Sequence, residues 1–513
     1  MGEREWKKGL PVVGRGVSDT LKVGLSKRES ADLVFAVTGH IGSGASYVAS
    51  ALAETSRGHA FTTHSIRLSE LLAEQRGLEA GKRTADSCSE LQDAGDGLRR
   101  EHGTGFVAGL GIRRVRALRE AQSDPGRVFI LDSIKHPSEV EVLRKVYGSS
   151  FYLIGVVCGE DTRRQRLRLK FKGENDPEVI GAIMDRDRRG DVKHGQQVGK
   201  TLELSDFFVA NREDTKPAVL GDSLARFLNA VTGSEIVRPT RDEQGMQVAW
   251  AASLRSACLS RQVGAAILGP RGDVVASGAN DPPRPGGGLY SEGSEPDKRC
   301  FNWERRCRND QKKQEIYEAI YARLDQLELL ARGTSKADLE AALLQTPVRD
   351  LIEFSRAVHA EMDAILSVAR SGQALPSGST LYCTTYPCHS CARHIVAAGL
   401  SRVVYIEPYE KSLAIELHAD AIRDASVAEV GLEPGQDKQD ERVVFELFSG
   451  VAPRRYAALF EGRQNLKDDA GHAVPPADMP VHVDPVLTGS YLDLENLVAE
   501  SVTSRLEKSS SDA

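Results

Sequence analysis

The run LVFAVTG, Leu33–Gly39, passes into Gly39-His40-Ile41-Gly42-Ser43-Gly44-Ala45-Ser46 and then into small and apolar residues as far as Leu52. An apolar run of that length reads as a buried strand, the glycines as a tight loop and the continuation as a helix. A strand, a glycine loop and a helix in that order open an α/β domain. VFILD (Val128–Asp132) and FYLIGVVC (Phe151–Cys158) read as further parallel strands, apolar throughout because both sheet faces are covered. Arg-rich helical stretches lie between and after them, and a passage near Val231–Pro239 ends this part of the chain.

The second part starts with a helical pattern, GMQVAWAASLRSACL, followed by VGAAILG and VVASGAN as two strands. A Gly/Pro-rich loop follows over Asp281–Pro296, then a strongly helical insertion over 310–356. HAEMDAILSVAR reads as a helix, STLYCTT as a strand, PCHSCARHIVAAGL as a helix and RVVYIEP as a strand. The chain has 513 residues, and domains run to about 100–200 residues, so two or three are expected. The division expected is a polar lead over 1–30, one α/β domain over 31–232, a second over 240–490, and a tail over 491–513, frayed from about Leu506.

The chemistry concentrates at His359-Ala360-Glu361 and Pro387-Cys388-His389-Ser390-Cys391. A hydrolytic zinc site takes three protein ligands and keeps a fourth position for water. His359, Cys388 and Cys391 supply such a set, and Glu361, two residues from the histidine, is placed to carry protons without ligating the metal. A purely structural zinc would want a fourth protein ligand, and a redox Cys-x-x-Cys pair would not need the upstream His-Ala-Glu. The spacing H-x-E…P-C-x-x-C is that of zinc nucleobase deaminases.

Over residues 243–465 the chain resembles the deoxycytidylate deaminases of the cytidine deaminase superfamily. The resemblance is carried by SLRSACLSRQVGAAI, SGAN, HAEMDAIL, LYCTTYPCHSCARHIVAAGLSRVVYIEPYEKS and VVFELFSGVAPRRYAALFE. It implies zinc on His359, Cys388 and Cys391, proton transfer by Glu361, a sugar contact from Asn280, and Tyr386 lining the pyrimidine pocket. Asp363 stands where the family usually has Asn, and the 310–356 insertion is long for a minimal enzyme. Because some members carry a second zinc, Cys258, Cys300 and Cys307 form a candidate site, with buried or free thiols as the favoured alternative.

Gly39 to Ser46 has the spacing of a phosphate-binding Walker loop, whose backbone N–H groups cradle phosphate. Gly39, Gly42, Ser43, Gly44 and Ser46 are its candidate nucleotide contacts, and Asp132 is placed to organise magnesium. Ala45 replaces the lysine such loops use on the β/γ-phosphates, and Arg186, Arg188 and Arg189 are candidates for a phosphate-clamping lid. Residues 31–232 resemble P-loop nucleotide and nucleoside kinases. The expected fold is therefore α/β, a P-loop kinase-like parallel sheet followed by a cytidine deaminase-like α/β/α domain. Loss of the lysine removes much of the charge stabilisation that phosphoryl transfer needs. A nucleotide-binding sensor that holds an NTP with magnesium, a degenerate scaffold and a live kinase are the three readings left open, and the retained glycines favour binding.

The fusion resembles the bacterial anti-phage deoxycytidylate deaminases, which deplete dCTP and dCMP during infection. That resemblance implies hydrolysis of dCTP and/or dCMP to dUTP or dUMP, a regulatory first half, a homo-oligomer, and in some members an inhibitory small RNA encoded nearby. A nucleic-acid-editing deaminase is the alternative, and a non-enzymatic RNA-held protein a further one. A net charge of −6 and 6% aromatic residues argue against the basic, aromatic-lined groove that editing requires. No stretch approaches the roughly 20 apolar residues of a membrane span, and the start lacks a secretory apolar core, so a cytoplasmic location is expected. Eight cysteines in such a chain read as metal ligands or thiols rather than a disulfide scaffold.

Overall fold

The computed structural model describes residues 29–511, except 80, 82–83, 122–125, 172–175, 189–192, 213–214, 408–411, 426–439, 462–466, 468–469 and 473–485. Most of the 1–30 lead, residues 1–28, falls outside this set.

The first half runs β1 (Leu33–Gly39), α1 (Ala45–Gly58), β2 (Thr62–Arg67), α2 (Leu68–Arg76), α3 (Ala85–His102), α4 (Phe106–Ala121) and β3 (Arg127–Ile134). It continues through α5 (Pro137–Tyr147), β4 (Phe151–Val157), α6 (Glu160–Lys170), α7 (Pro177–Arg188), α8 (Val198–Leu202), β5 (Phe207–Ala210) and α9 (Pro217–Thr232). These strands form a parallel sheet in the order β2-β3-β1-β4-β5. β1 and β4 are buried at every position, as their unbroken apolar sequences require. With β1 at the centre and the glycine loop directly after it, this is the P-loop kinase-like arrangement, and its ligand crevice lies beyond the carboxyl ends of the strands.

The second half comprises α10 (Arg241–Ser253), β6 (Gly264–Leu268), β7 (Val274–Ala279), α11 (Cys300–Trp303), α12 (Arg308–Gln326), α13 (Lys336–Leu343), α14 (Ala360–Ser371) and β8 (Thr380–Thr385). After these come α15 (His389–Ala397), β9 (Arg402–Glu407), α16 (Ala414–Leu417), β10 (Ile422–Asp424), β11 (Val443–Leu447), β12 (Gly450–Val451), α17 (Pro453–Phe460) and α18 (Thr488–Ser511). The second sheet has the order β7-β6-β8-β9-β11-β10, with β6 antiparallel to both neighbours and the rest parallel. Gly278 on β7 has no room for a side chain, since a Cβ there would stand 2.1 Å from the Ala360 carbonyl. That contact seats the first turn of α14, which carries the catalytic candidates, directly on the sheet.

Three sequence expectations change. The helix expected over GMQVAWAASLRSACL starts earlier, at a Thr240/Glu243 capping box, and stops at Ser253. Beyond it the Ser256 hydroxyl donates to the Asn280 carbonyl and the Ala257 N–H to Asp281, so the end of β7 claims those polar groups. The sheet of the first half also receives β12 from the second, paired antiparallel to β5. Finally, the segment expected as a C-terminal tail, 491–513, lies mostly in α18, which covers the first half. Tyr491, Glu495, Ala499 and Val502 are buried along one helical face, and a Cβ on Gly109 of α4 would meet Val502 at 2.7 Å.

The halves share one apolar core, in which Val157, Val198, Leu202 and Phe208 pack with Met246, Phe445 and Phe448. At the same junction Glu243 accepts from both terminal nitrogens of Arg226, at 2.8 and 2.7 Å, and from the Val451 N–H at 2.8 Å.

Candidate active site

His359 is the N-cap of α14 and Cys388 the N-cap of α15, so two helix starts converge. The His359 Nδ1 lies 3.3 Å from the sulfurs of both Cys388 and Cys391. The three ligand atoms all fall within 4.8 Å of one another, and among the described residues no fourth candidate ligand joins them. The hydrogen bond from Cys391 draws the Cys388 thiol down and pushes the Cys391 thiol up, and bonding to Cys388 raises His359. The groups thus share protons where a cation would replace them. Soft sulfur and imidazole donors, three in number with one direction left open, fit zinc. Glu361, in the first turn of α14, is buried with only 4% exposure, and that burial pushes its carboxyl upward.

Asn280 closes β7, where its Oδ1 accepts from the Val263 N–H at 2.7 Å and its Nδ2 donates to the Arg261 carbonyl at 2.8 Å. One N–H and one lone pair of the amide remain for a ligand. Tyr386 stacks edge-on against Tyr405 and Phe445, at 4.7 and 5.5 Å between centroids. Cys258, Cys300 and Cys307 line one small pocket of about 20 Å³. They do not converge as a metal-binding group, and Arg356 donates to the Cys300 sulfur at 3.7 Å.

In the first half, Gly39, Gly42, Gly44, Ser46 and Asp132 line a cavity of about 390 Å³. Gly44 adopts φ 86° and has Asn211 Nδ2 where a Cβ would stand, at 2.2 Å, so the loop demands glycine there. Ser43 does not line the cavity. It is buried, its carbonyl accepts from Asn211 at 2.7 Å, and its hydroxyl has no partner. Burial raises the Asp132 carboxyl, against a hydrogen bond from Ser46. Of the lid candidates, Arg186 is taken by Asp93 and Asp96 at 2.8 and 2.7 Å, and Arg188 by Asp185 at 3.2 Å. Arg189 falls outside the described residues.

Sequence reasoning passed over Lys135, whose Nζ donates to the Gly39 carbonyl at 2.9 Å and to Asp187 at 2.8 Å. Asp187 also accepts from the Ile41 N–H at 2.8 Å. Burial disfavours its charge, but the Lys135 ammonium and the His40 ring together outweigh this and hold the carboxyl well below its usual range. The only hint in sequence was a lysine just after a strand that ends in aspartate.

The second half thus carries a mixed sheet with a His/Cys/Cys cluster beside a buried glutamate. Residues 239–407 match the family model of the cytidine and deoxycytidylate deaminase zinc-binding region. Among curated proteins, the chain is 44% identical over 55 residues to the deoxycytidylate deaminase of Enterobacteria phage T2, covering 11% of this chain and 29% of that one. It thus spans under a third of that relative. It is 29% identical over 174 residues to the deoxycytidylate deaminase of Saccharomyces cerevisiae, covering 34% and 40% of the two chains. It is also 29% identical over 179 residues to a UPF0200 protein of Aeropyrum pernix, covering 35% and 84%. A solved dCMP deaminase of cyanophage S-TIM5 in complex with dCMP and dUMP aligns with 20% identity and a TM-score of 0.23, over 41% of this chain and 99% of that one. Among the described residues, no helix is long and apolar enough to cross a membrane.

Proposed function

We propose that the protein hydrolyses the amino group of free deoxycytidine nucleotides, dCTP and/or dCMP, to give dUTP or dUMP. The observation that carries this reading is the His359 nitrogen 3.3 Å from both Cys388 and Cys391, with Glu361 buried beside them. Zinc held by those three residues supplies a Lewis acid that makes water nucleophilic at neutral pH. Glu361 takes one proton of the attacking water and passes it to N3 of cytosine, then moves the remaining hydroxyl proton of the C4 adduct to the departing amine, which leaves as ammonia as the C4 carbonyl forms. The remaining N–H and lone pair of Asn280 serve the sugar, and Tyr386 borders the base. The glycine-loop half couples activity to an infection signal, so that dCTP depletion acts as antiviral defence in the cytoplasm. A homo-oligomer and an inhibitory small RNA belong to the same reading.

Ammonia release from the purified protein, assayed with dCTP, dCMP, CTP, deoxycytidine and single-stranded DNA, tests it. Turnover confined to deoxycytidine nucleotides and lost in Glu361→Ala is expected, whereas turnover of the single strand alone would transfer the site to nucleic-acid editing.

A further inference from the structure

Three residues that line the cavity beside the glycine loop each hold a buried oxygen acceptor without a hydrogen-bond partner: Gln92 Oε1, Asp132 Oδ1 and Gln196 Oε1. Their residues are 3%, 8% and 7% exposed. Unpaired buried acceptors are costly, and a native cluster of them calls for donors from outside the chain. Gln92 is also fixed in orientation, because its Nε2 donates to the Ile183 carbonyl at 3.2 Å. Its carbonyl oxygen is therefore the end left without a donor. Leu68, Leu72, Leu91 and Val107 supply apolar walls. The same cavity takes in the loop glycines, the start of α1 and Lys135. Two of the three ammonium protons of Lys135 are committed, to Gly39 and Asp187, and the third is left for a ligand. A volume of about 390 Å³ accommodates a nucleotide.

We propose that this cavity is a nucleoside-phosphate site in which Lys135 supplies the ammonium that the loop lacks at Ala45, and Gln92 accepts a hydrogen bond from an N–H of the base. Lys135 reaches the loop from the carboxyl end of β3, beside the end of β1, rather than from α1, so its charge is anchored by Asp187 instead of lying along the helix that receives the phosphate. Gln92 selects bases with a donor on the facing edge, and the leucines cover the ring. This inference rests on the reading of the loop as a phosphate cradle, independently of the deaminase chemistry.

Calorimetric titration of the full chain with tripolyphosphate, ATP and dTTP, in magnesium, separates the two. Lys135→Met alone would strand the buried Asp187 charge, so the variant used is Lys135→Met/Asp187→Asn, which keeps the Ile41 contact; thermal unfolding verifies its fold. Tripolyphosphate binding weakened at least tenfold in that variant supports the Lys135 assignment. The preference of the wild type for at least one nucleotide over tripolyphosphate is expected to disappear in Gln92→Leu, with tripolyphosphate binding unchanged. Tripolyphosphate bound equally by wild type and double variant overturns the inference while the cradle stands. Nucleotide preference surviving in Gln92→Leu overturns the base contact. Wild type binding none of the three probes overturns the cradle and the inference together.

Discussion

At the residue scale, the roles proposed for the His/Cys/Cys cluster and for Glu361 can be separated by experiment. Cys388 belongs to a three-atom ligand set within 4.8 Å, so removing its sulfur leaves only two ligands. Cys388→Ala is expected to lose both bound zinc and activity, read by metal analysis of the purified protein. Glu361 is no ligand, so Glu361→Ala should retain one zinc per chain while its rate falls by about 10²–10⁴, the usual contribution of a positioned acid/base. Zinc loss in both variants would mean that Glu361 holds the metal instead of moving protons. The convergence of His359, Cys388 and Cys391 was legible in sequence because residue identity and spacing are local facts. Lys135 was not, since its place beside Gly39 depends on β1 and β3 pairing in parallel register. The commitment of Asn280 to the 261–263 backbone was hidden for the same reason.

At the element scale, the strands LVFAVTG and FYLIGVV were readable because burial on both faces leaves an unbroken apolar run. The C-terminal helix was not, because a charged residue, Glu495, occupies its buried stripe. In the structure that carboxylate is satisfied by Tyr147, whose hydroxyl donates at 2.6 Å, and by an ion pair with Arg119. The two-residue strand β12 was likewise invisible, having too few residues to show any period. If α18 packs as described, Val502→Asp buries a charge against Gly109. An unpaired buried charge costs several kcal/mol, so the thermal midpoint should drop and the first half should become more sensitive to limited proteolysis. An unchanged midpoint would detach α18 from α4.

At the scale of the whole molecule, the two halves are tied by carboxylates. Glu243 is 1% exposed and serves α9, α10 and β12 together. Glu243→Ala removes the buried partner of Arg226, which is itself 29% exposed, so the cost falls below the roughly 3–5 kcal/mol of a fully buried pair. It should loosen both halves in one transition, whereas two separate transitions with only one shifted would mean that the halves unfold independently. A second tie is sensitive to pH. Arg261 lies between Glu203 of the first half, at 3.3 Å, and Glu407, with which it forms an ion pair. The Glu407 carbonyl accepts from the Tyr386 N–H at 2.8 Å, two residues before Cys388. Burial first, and Glu407 second, push the Glu203 carboxyl from 4.5 up to about 7. A folded value above the unfolded one means that the folded chain holds this proton more tightly. Stability from Glu203 is then full below about pH 4.5 and declines as pH rises toward about 7. Glu203→Gln stays neutral and escapes that decline. Its thermal midpoint should match the wild type near the acid end of the window and exceed it above about pH 7, with partial exposure of Glu203 muting the difference. Parallel midpoint curves for the two proteins across that range would show that the charge on Glu203 is already neutralised by Arg261, and that the junction does not respond to pH.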